Sequence, residues 1–244
     1  MFAAQAQLTE GEPHSTKIKT GNRPLAGDWG MYIGPSYTDI RSLIEWADKS
    51  KSVDVVRGLP LLNVKYYASD NFELRCGLQY FNVVNKYSGT TYPLKESVEG
   101  KYSNAFFRII PGLAYHFTSK NVLDVYIGGQ LPIGFDIDKD IQETGVIVNN
   151  TKRNSFVVGI GVFGGLQVFV ADLPFSIGLE VGLTGLAKCG QKVKHEVSDE
   201  NNNIQTFYTT LDDETLTYSK LNCHTFEMGS DFRLTFTYYF NNKK

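Results

Sequence analysis

Several things are scarce in this 244-residue chain. Cysteine is limited to Cys76, Cys189 and Cys223, too few for a disulfide scaffold and at spacings that match no zinc motif. Net charge is nearly absent: 24 Lys and Arg against 26 Asp and Glu leave −2. That balance excludes a strongly basic nucleic-acid binder, and no nucleic-acid partner is expected. Long apolar runs are missing and mean hydropathy is slightly negative, which argues against a bundle of transmembrane helices. No cofactor-binding motif stands out, so no cofactor is expected. What the chain does have is 42% hydrophobic content, which argues against wholesale disorder, with 13% aromatics and 23 glycines. Together these imply β structure.

The alternation of side chains supports this. In the last segment Phe226, Met228, Phe232, Leu234, Phe236, Tyr238 and Phe240 share one parity, and Glu227, Gly229, Asp231, Arg233, Thr235 and Thr237 the other. A strand sends successive side chains to opposite faces, so one face is apolar and the other polar. Seven further segments follow the rule: about 29–40, 61–69, 72–86, 107–117, 123–135, 156–168 and 175–183. Short links at Asp70-Asn71, Ser119-Lys120-Asn121 and Asp172-Leu173 alternate with long polar stretches near 41–60, 87–102, 138–154 and 188–222.

The expected fold is therefore all-β: an eight-stranded antiparallel up-and-down transmembrane barrel with short periplasmic turns and long extracellular loops. Residues 1–6, with Ala4-Gln5-Ala6, read as the remnant of a secretory signal peptide. Residues 7–26 form an N-terminal periplasmic arm, 27–240 the barrel and 241–244 a tail. Two transmembrane helices over 155–187 are disfavoured by the strict alternation and by Glu180. A soluble ligand-enclosing barrel is the stronger rival. Against it stand the glycine-rich polar parity, suited to a crowded lumen, the bulky rings of the apolar parity, and aromatics near strand ends such as Trp29, Phe72, Phe117 and Phe175.

The ending Phe232-Arg-Leu-Thr-Phe-Thr-Tyr-Tyr-Phe240 resembles the C-terminal insertion signal of bacterial outer-membrane proteins, although Asn241-Asn-Lys-Lys244 follows the usual final aromatic. The layout over 27–240 resembles the small eight-stranded barrels of the OmpA, OmpX and OmpW kind. That resemblance implies a Gram-negative outer-membrane location in the cell envelope and contact with lipid and lipopolysaccharide. It also implies insertion by the outer-membrane assembly machinery, with Phe232, Leu234, Phe236, Tyr238 and Phe240 as the signal.

Candidate sites follow from the topology. An eight-stranded lumen is filled by side chains, so Lys65, Glu73, Arg75, Arg108, Glu180, Glu227, Asp231 and Arg233 should pair there as a charge network, since buried charges are costly unless paired. The functional version of the network is a narrow, porin-like path for small solutes. Asp136, Asp138 and Asp140 share a face and form a candidate calcium site. Cys189 and Cys223 flank the longest loop and form a candidate disulfide in an oxidising space; a bulge at Gly190 would reconcile their opposite parities. Among the histidines, His14 lies in the arm, His116 near the periplasmic end, and His195 and His224 near the outer rim with Glu196, Ser198 and Ser219, without a triad motif. A non-enzymatic structural or surface-interaction role through the loops, with a protein partner, is the leading expectation. The alternatives are a narrow channel, an accessory subunit of an envelope secretion or assembly complex, and a lipid-modifying barrel enzyme.

Overall fold

The computed structural model describes residues 23–37, 59–93, 95–117, 123–144, 147–170, 173–198, 203–213 and 215–240. The signal remnant, most of the arm, the 41–58 part of the first long loop, residues 38–40, the Ser119–Asn121 turn, Glu214 and the tail lie outside them. Eleven strands occur among the described residues: β1 (Trp29–Gly34), β2 (Leu59–Ser69), β3 (Phe72–Thr90), β4 (Ser97–His116), β5 (Leu123–Gln130), β6 (Ile133–Thr144), β7 (Ile147–Phe169), β8 (Phe175–Cys189), β9 (Val193–Ser198), β10 (Ile204–Thr209) and β11 (His224–Phe240). All pair antiparallel in one sheet, and β1 pairs with β11 to close a ring.

The ring has eight walls because β5 and β6 are one strand interrupted by chemistry. Both pair with β4 and β7 in an unbroken register. Pro111 on β4 and Pro132 between β5 and β6 have no N–H, so each accepts without donating: Leu131 N–H donates to Pro111 O (2.8 Å) and Gly159 N–H to Pro132 O (2.8 Å). The ladder loses those two reciprocal bonds and keeps its alignment.

The register sets the stagger. Starting at Ile33, direct partners run through Leu62, Leu78, Ile109, Ile133, Val158 and Ala187 to Phe226, whereas Ile33 itself pairs with Phe236. The circuit therefore returns ten residues along β11. For eight strands with ~3.3 Å rise and ~4.8 Å spacing, that stagger tilts the strands by about 40°.

Several stretches that read as long loops are strand. β3 and β4 run on as a hairpin to Thr90 and Ser97, and β6 and β7 to Thr144 and Ile147. The 188–222 stretch contributes β9 and β10. β9 continues β8 along β7 after a bulge at Gly190, whose φ is +79° and which accepts a bond from Lys192 N–H (2.8 Å). These extensions carry polar residues on both faces, so the apolar alternation that marks a half-buried strand is missing. They build a six-stranded wall, β3-β4-β6-β7-β9-β10, that projects beyond the ring on the side away from the short turns.

Burial is inverted relative to a water-soluble sheet. Tyr115, Leu113, Ile109 and Phe107 on β4, like Ile160 and Val162 on β7, are exposed on the outer face, Ile160 by 67%. Lys65, Glu73, Arg75, His116, Asp124 and Glu180 are buried inside. Aromatics border the outer face at both ends. Trp29 lies against Tyr66 (4.8 Å between centroids) and Tyr115 against Phe117 (5.5 Å) near the short turns, and Phe135 lies against Phe156 (5.3 Å) at the opposite border. From Phe107 to Phe117 the tilted wall rises about 25 Å, from ~3.3 Å per residue and a tilt of about 40°.

Not every bulky ring lies on the outer face. Tyr32, Tyr67, Phe81, Tyr126, Phe163, Phe169 and Tyr239 are buried inside. Glycine makes the room. A Cβ on Gly165 would lie 2.3 Å from the Tyr126 ring, and one on Gly128 would lie 2.2 Å from the Phe163 ring and 2.3 Å from the Leu113 carbonyl oxygen.

Candidate functional site

The lumen holds a chain of side chains of alternating sign. Alternation places Glu73 and Arg75 on one face of β3, and the register brings Lys65 of β2 opposite Arg75. Arg75 Nε donates to Glu73 Oε1 (2.8 Å) and its Nη1 to Glu180 Oε2 (2.7 Å). Lys65 Nζ lies 3.4 Å from Glu73 Oε2. Arg233 Nη1 lies 3.5 Å from Glu180 Oε1 and also pairs with Asp231. Towards the short-turn end, His116 Nε2 lies 3.2 Å from Glu73 Oε2 and its Nδ1 2.6 Å from Asp124 Oδ2. Asp124 also accepts from Gln167 Nε2 (2.8 Å) and Arg23 Nη2 (3.2 Å). The sequence runs Arg23, Asp124, His116, Glu73, Arg75, Glu180, Arg233, Asp231. Carboxylates only accept, so His116 satisfies both neighbours when both ring nitrogens carry protons.

Aromatic faces complete the packing. The Arg75 guanidinium lies 4.1 Å from the Phe163 centroid, and Lys65 Nζ 4.7 Å from the Tyr32 centroid, where the ring quadrupoles attract the cations. Tyr126 OH donates to Glu180 Oε2 (3.2 Å), and Asn63 Nδ2 to Tyr32 OH (2.6 Å). A cleft of about 280 Å³, lined by Gln79, Arg108, Gln130, Thr184, Asp231 and Arg233 among others, opens towards the projecting wall. Below it, between Gln130, Phe163, Glu180 and Arg233, no water-sized space is left.

Of the eight charges expected in one network, Lys65, Glu73, Arg75, Glu180, Asp231 and Arg233 come together. Two do not. Arg108 pairs with Asp136 (3.1 Å), and Glu227, half-exposed, pairs with Lys188 (2.8 Å). Both sit higher on their strands, where the lumen has opened. His116, Asp124, Arg23 and Gln167 are members that the sequence reading left out. Parity places His116 and Asp124 on the inward face, a signal that the charge network did not draw on; nothing comparable marks Arg23, which precedes the first strand.

The three aspartates share a face as expected but do not converge. Residues two apart on a strand are about 7 Å apart, too far for all three to reach one ion at ~2.4 Å. Neighbouring strands supply cations instead, with Arg108 and Lys188 at Asp136 and Arg153 at Asp138, while Asp140 lies opposite Thr151. Among the described residues no group of three His, Cys, Asp or Glu could hold a metal ion. Cys189 and Cys223 are free thiols, although the Gly190 bulge is present and Gly190 N–H donates to Cys223 O (3.0 Å). Phe232, Phe236, Tyr238 and Phe240 are exposed on the outer face of β11, with Leu234 half-exposed.

On the projecting wall the register aligns Asp140, Thr151, His195 and Phe207 across four strands. His195 is held by Thr209 Oγ1 at Nε2 (2.9 Å) and Thr151 Oγ1 at Nδ1 (3.3 Å), and it stacks on Phe207 at 4.9 Å. A groove of about 310 Å³ runs beside this row. Ser198 Oγ accepts from Val148 N–H (3.3 Å), and His224 is exposed. In the loop before β11, the Thr215 hydroxyl and N–H hold the Asp213 carboxyl below the usual range. No family model matches the chain, and no curated protein matches it.

Proposed function

We propose that this chain is a non-enzymatic β-barrel of a bacterial outer membrane, sealed through its lumen, that acts at the cell surface through its projecting hairpins. One observation carries the reading: the ring buries its charges inside and turns most of its large apolar side chains outward. Water would favour the opposite arrangement, and lipid would favour this one. A tilt of about 40° and an aromatic-bordered height of about 25 Å fit an outer-membrane span. The partners of the reading are membrane lipid and lipopolysaccharide around the wall, assembly machinery during insertion, and a protein or saccharide surface at the hairpins. The cleft above Arg233 favours a second reading, a narrow solute channel gated by rearrangement of the charge chain.

Heat-modifiable gel mobility tests the architecture. Unheated protein from lipid vesicles should migrate faster than boiled protein, and vesicle flotation should carry it. Protein that stays in the aqueous fraction with heat-independent mobility refutes the membrane reading. Planar-bilayer recording separates the two roles: silence fits the sealed barrel, and steady conductance selects the channel.

A further inference from the structure

Beyond the apolar band, the outer face of the projecting wall carries an arrangement that a β-sheet disfavours. Lys139 of β6 lies directly opposite Lys152 of β7, and Lys152 directly opposite Lys194 of β9. Direct cross-strand partners sit with Cβ atoms about 5 Å apart, where like charges repel. Lys192 adds a fourth ammonium, 4.6 Å from the ring centroid of Tyr208, and Tyr208 is the direct partner of Lys194. Glu196 is the carboxylate that answers them: it pairs with Lys194, which holds its carboxyl below the usual range, and it also accepts from Asn150 Nδ2 (2.9 Å). Four ammonium groups against one carboxylate leave a local excess of positive charge in a chain whose net charge is −2. The next row differs, because Lys86 and Lys101 share a hollow with Glu99 and Glu143.

The height of the row limits what can neutralise it. Lys139 shares its face with Phe135 and Ile137 by alternation and lies two residues past Ile137. At a tilt of about 40° that is roughly 5 Å above Ile137; Ile141 follows on the same face, and the row climbs about 3 Å per strand from Lys139 towards Lys194. The headgroup layer spans about 5–8 Å on each side of the hydrocarbon core. Lysine stems can also lie along the apolar wall while their ammonium groups stay at that level.

We propose that Lys139, Lys152 and Lys194, with Lys192 and Tyr208, form a binding site for the phosphate headgroup of a membrane lipid in the leaflet that surrounds the projecting wall. The site rests on the reading of the outer face as membrane-embedded. Continuity with the apolar band selects a lipid as the source of the phosphate, because acyl chains would lie on Phe135, Phe156 and Ile137 while the headgroup meets the lysines. Phosphate oxygens placed between the strands relieve the Lys–Lys–Lys opposition.

The test uses the full chain inserted into phosphatidylcholine vesicles with and without diphosphoryl lipid A. After mild detergent extraction, bound lipid A is read by native mass spectrometry. Wild type should retain lipid A. Lys139→Gln/Lys152→Gln/Lys194→Gln should lose about 10- to 100-fold in retention, from the attraction of each lysine to an anionic headgroup. Lys152→Glu places a carboxylate between two lysines, so it should lose retention while melting at a higher temperature than wild type, which separates lost binding from lost folding. All three should insert into pure phosphatidylcholine with equal heat-modifiability. Equal lipid A retention by wild type and the triple variant overturns the site and leaves the membrane reading intact. Displacement of lipid A by inorganic phosphate alone overturns the lipid assignment. Failure of wild type to insert into phosphatidylcholine overturns the membrane reading itself.

Discussion

Glu73→Gln should be among the most damaging isosteric changes in the lumen. The Glu73 carboxylate is fully buried and meets Arg75 Nε at 2.8 Å, His116 Nε2 at 3.2 Å and Lys65 Nζ at 3.4 Å. Glutamine keeps the shape, removes the charge and turns an N–H donor towards groups that are themselves donors. Breaking a buried pair on one side costs about 3–5 kcal/mol, because the remaining charge stays desolvated. The same change at half-exposed Glu227, paired with Lys188, should cost about 0–1 kcal/mol. Urea titration in lipid vesicles, with the folded fraction read from unheated gel mobility, should give a lower midpoint for Glu73→Gln at unchanged slope. Adding Lys65→Met should restore part of the loss, since it removes one of the stranded cations. A loss under about 1 kcal/mol, no larger than that of a surface pair, would refute the view that the lumen is sealed and held by charge pairing.

Adjacent glycines give a contrast on one strand. Gly128→Ala should cost about 1–3 kcal/mol, because its Cβ meets the Phe163 ring and the Leu113 carbonyl; Gly129→Ala, whose nearest neighbour is 3.7 Å away, should fall within about 0.5 kcal/mol of wild type in the same titration. Arg75→Ala combined with Glu73→Ala and Glu180→Ala should create steady conductance in planar bilayers where wild type has none. Removing 194–208 should leave the ring heat-modifiable, because β9 and β10 pair with each other, with the end of β7 beyond the ring and, through Tyr208, with Tyr218 in the loop before β11. Phe236→Asp/Phe240→Asp should slow vesicle insertion, measured as the rate at which the fast-migrating band appears.

The ring was legible in the sequence because each of its strands carries apolar side chains on its outer face and polar or charged ones on its inner face. On β7, Val158 and Ile160 alternate with Gly159 and Gly161, and the structure sets them on opposite faces. The hairpin extensions were not legible. At Lys139 to Glu143, and again at Ile147 to Arg153, both faces are polar or mixed, so strand and loop have the same composition. The continuity of β5 and β6 was legible for a related reason, since Pro132 removes a donor but leaves the parity of Ile127, Ile133 and Phe135 intact. Alternation puts Tyr126 on the inner face with Asp124 and Gln130, but it does not show how such rings fit inside. Whether Tyr126 and Phe163 fit depends on Gly165 and Gly128, residues from neighbouring strands that the register brings together.

The seam between β1 and β11 has a consequence for the order of events. Trp29 pairs with Phe240, so the first ring strand waits for the last. All other ring pairings can form between neighbours in sequence, but two open edges persist until the final strand has left the ribosome. During that interval the chain offers unpaired backbone donors and acceptors at both ends of a half-built sheet, the condition that invites pairing with other chains. Closure therefore waits for the last ring strand, and both edges stay open until Phe240 reaches Trp29.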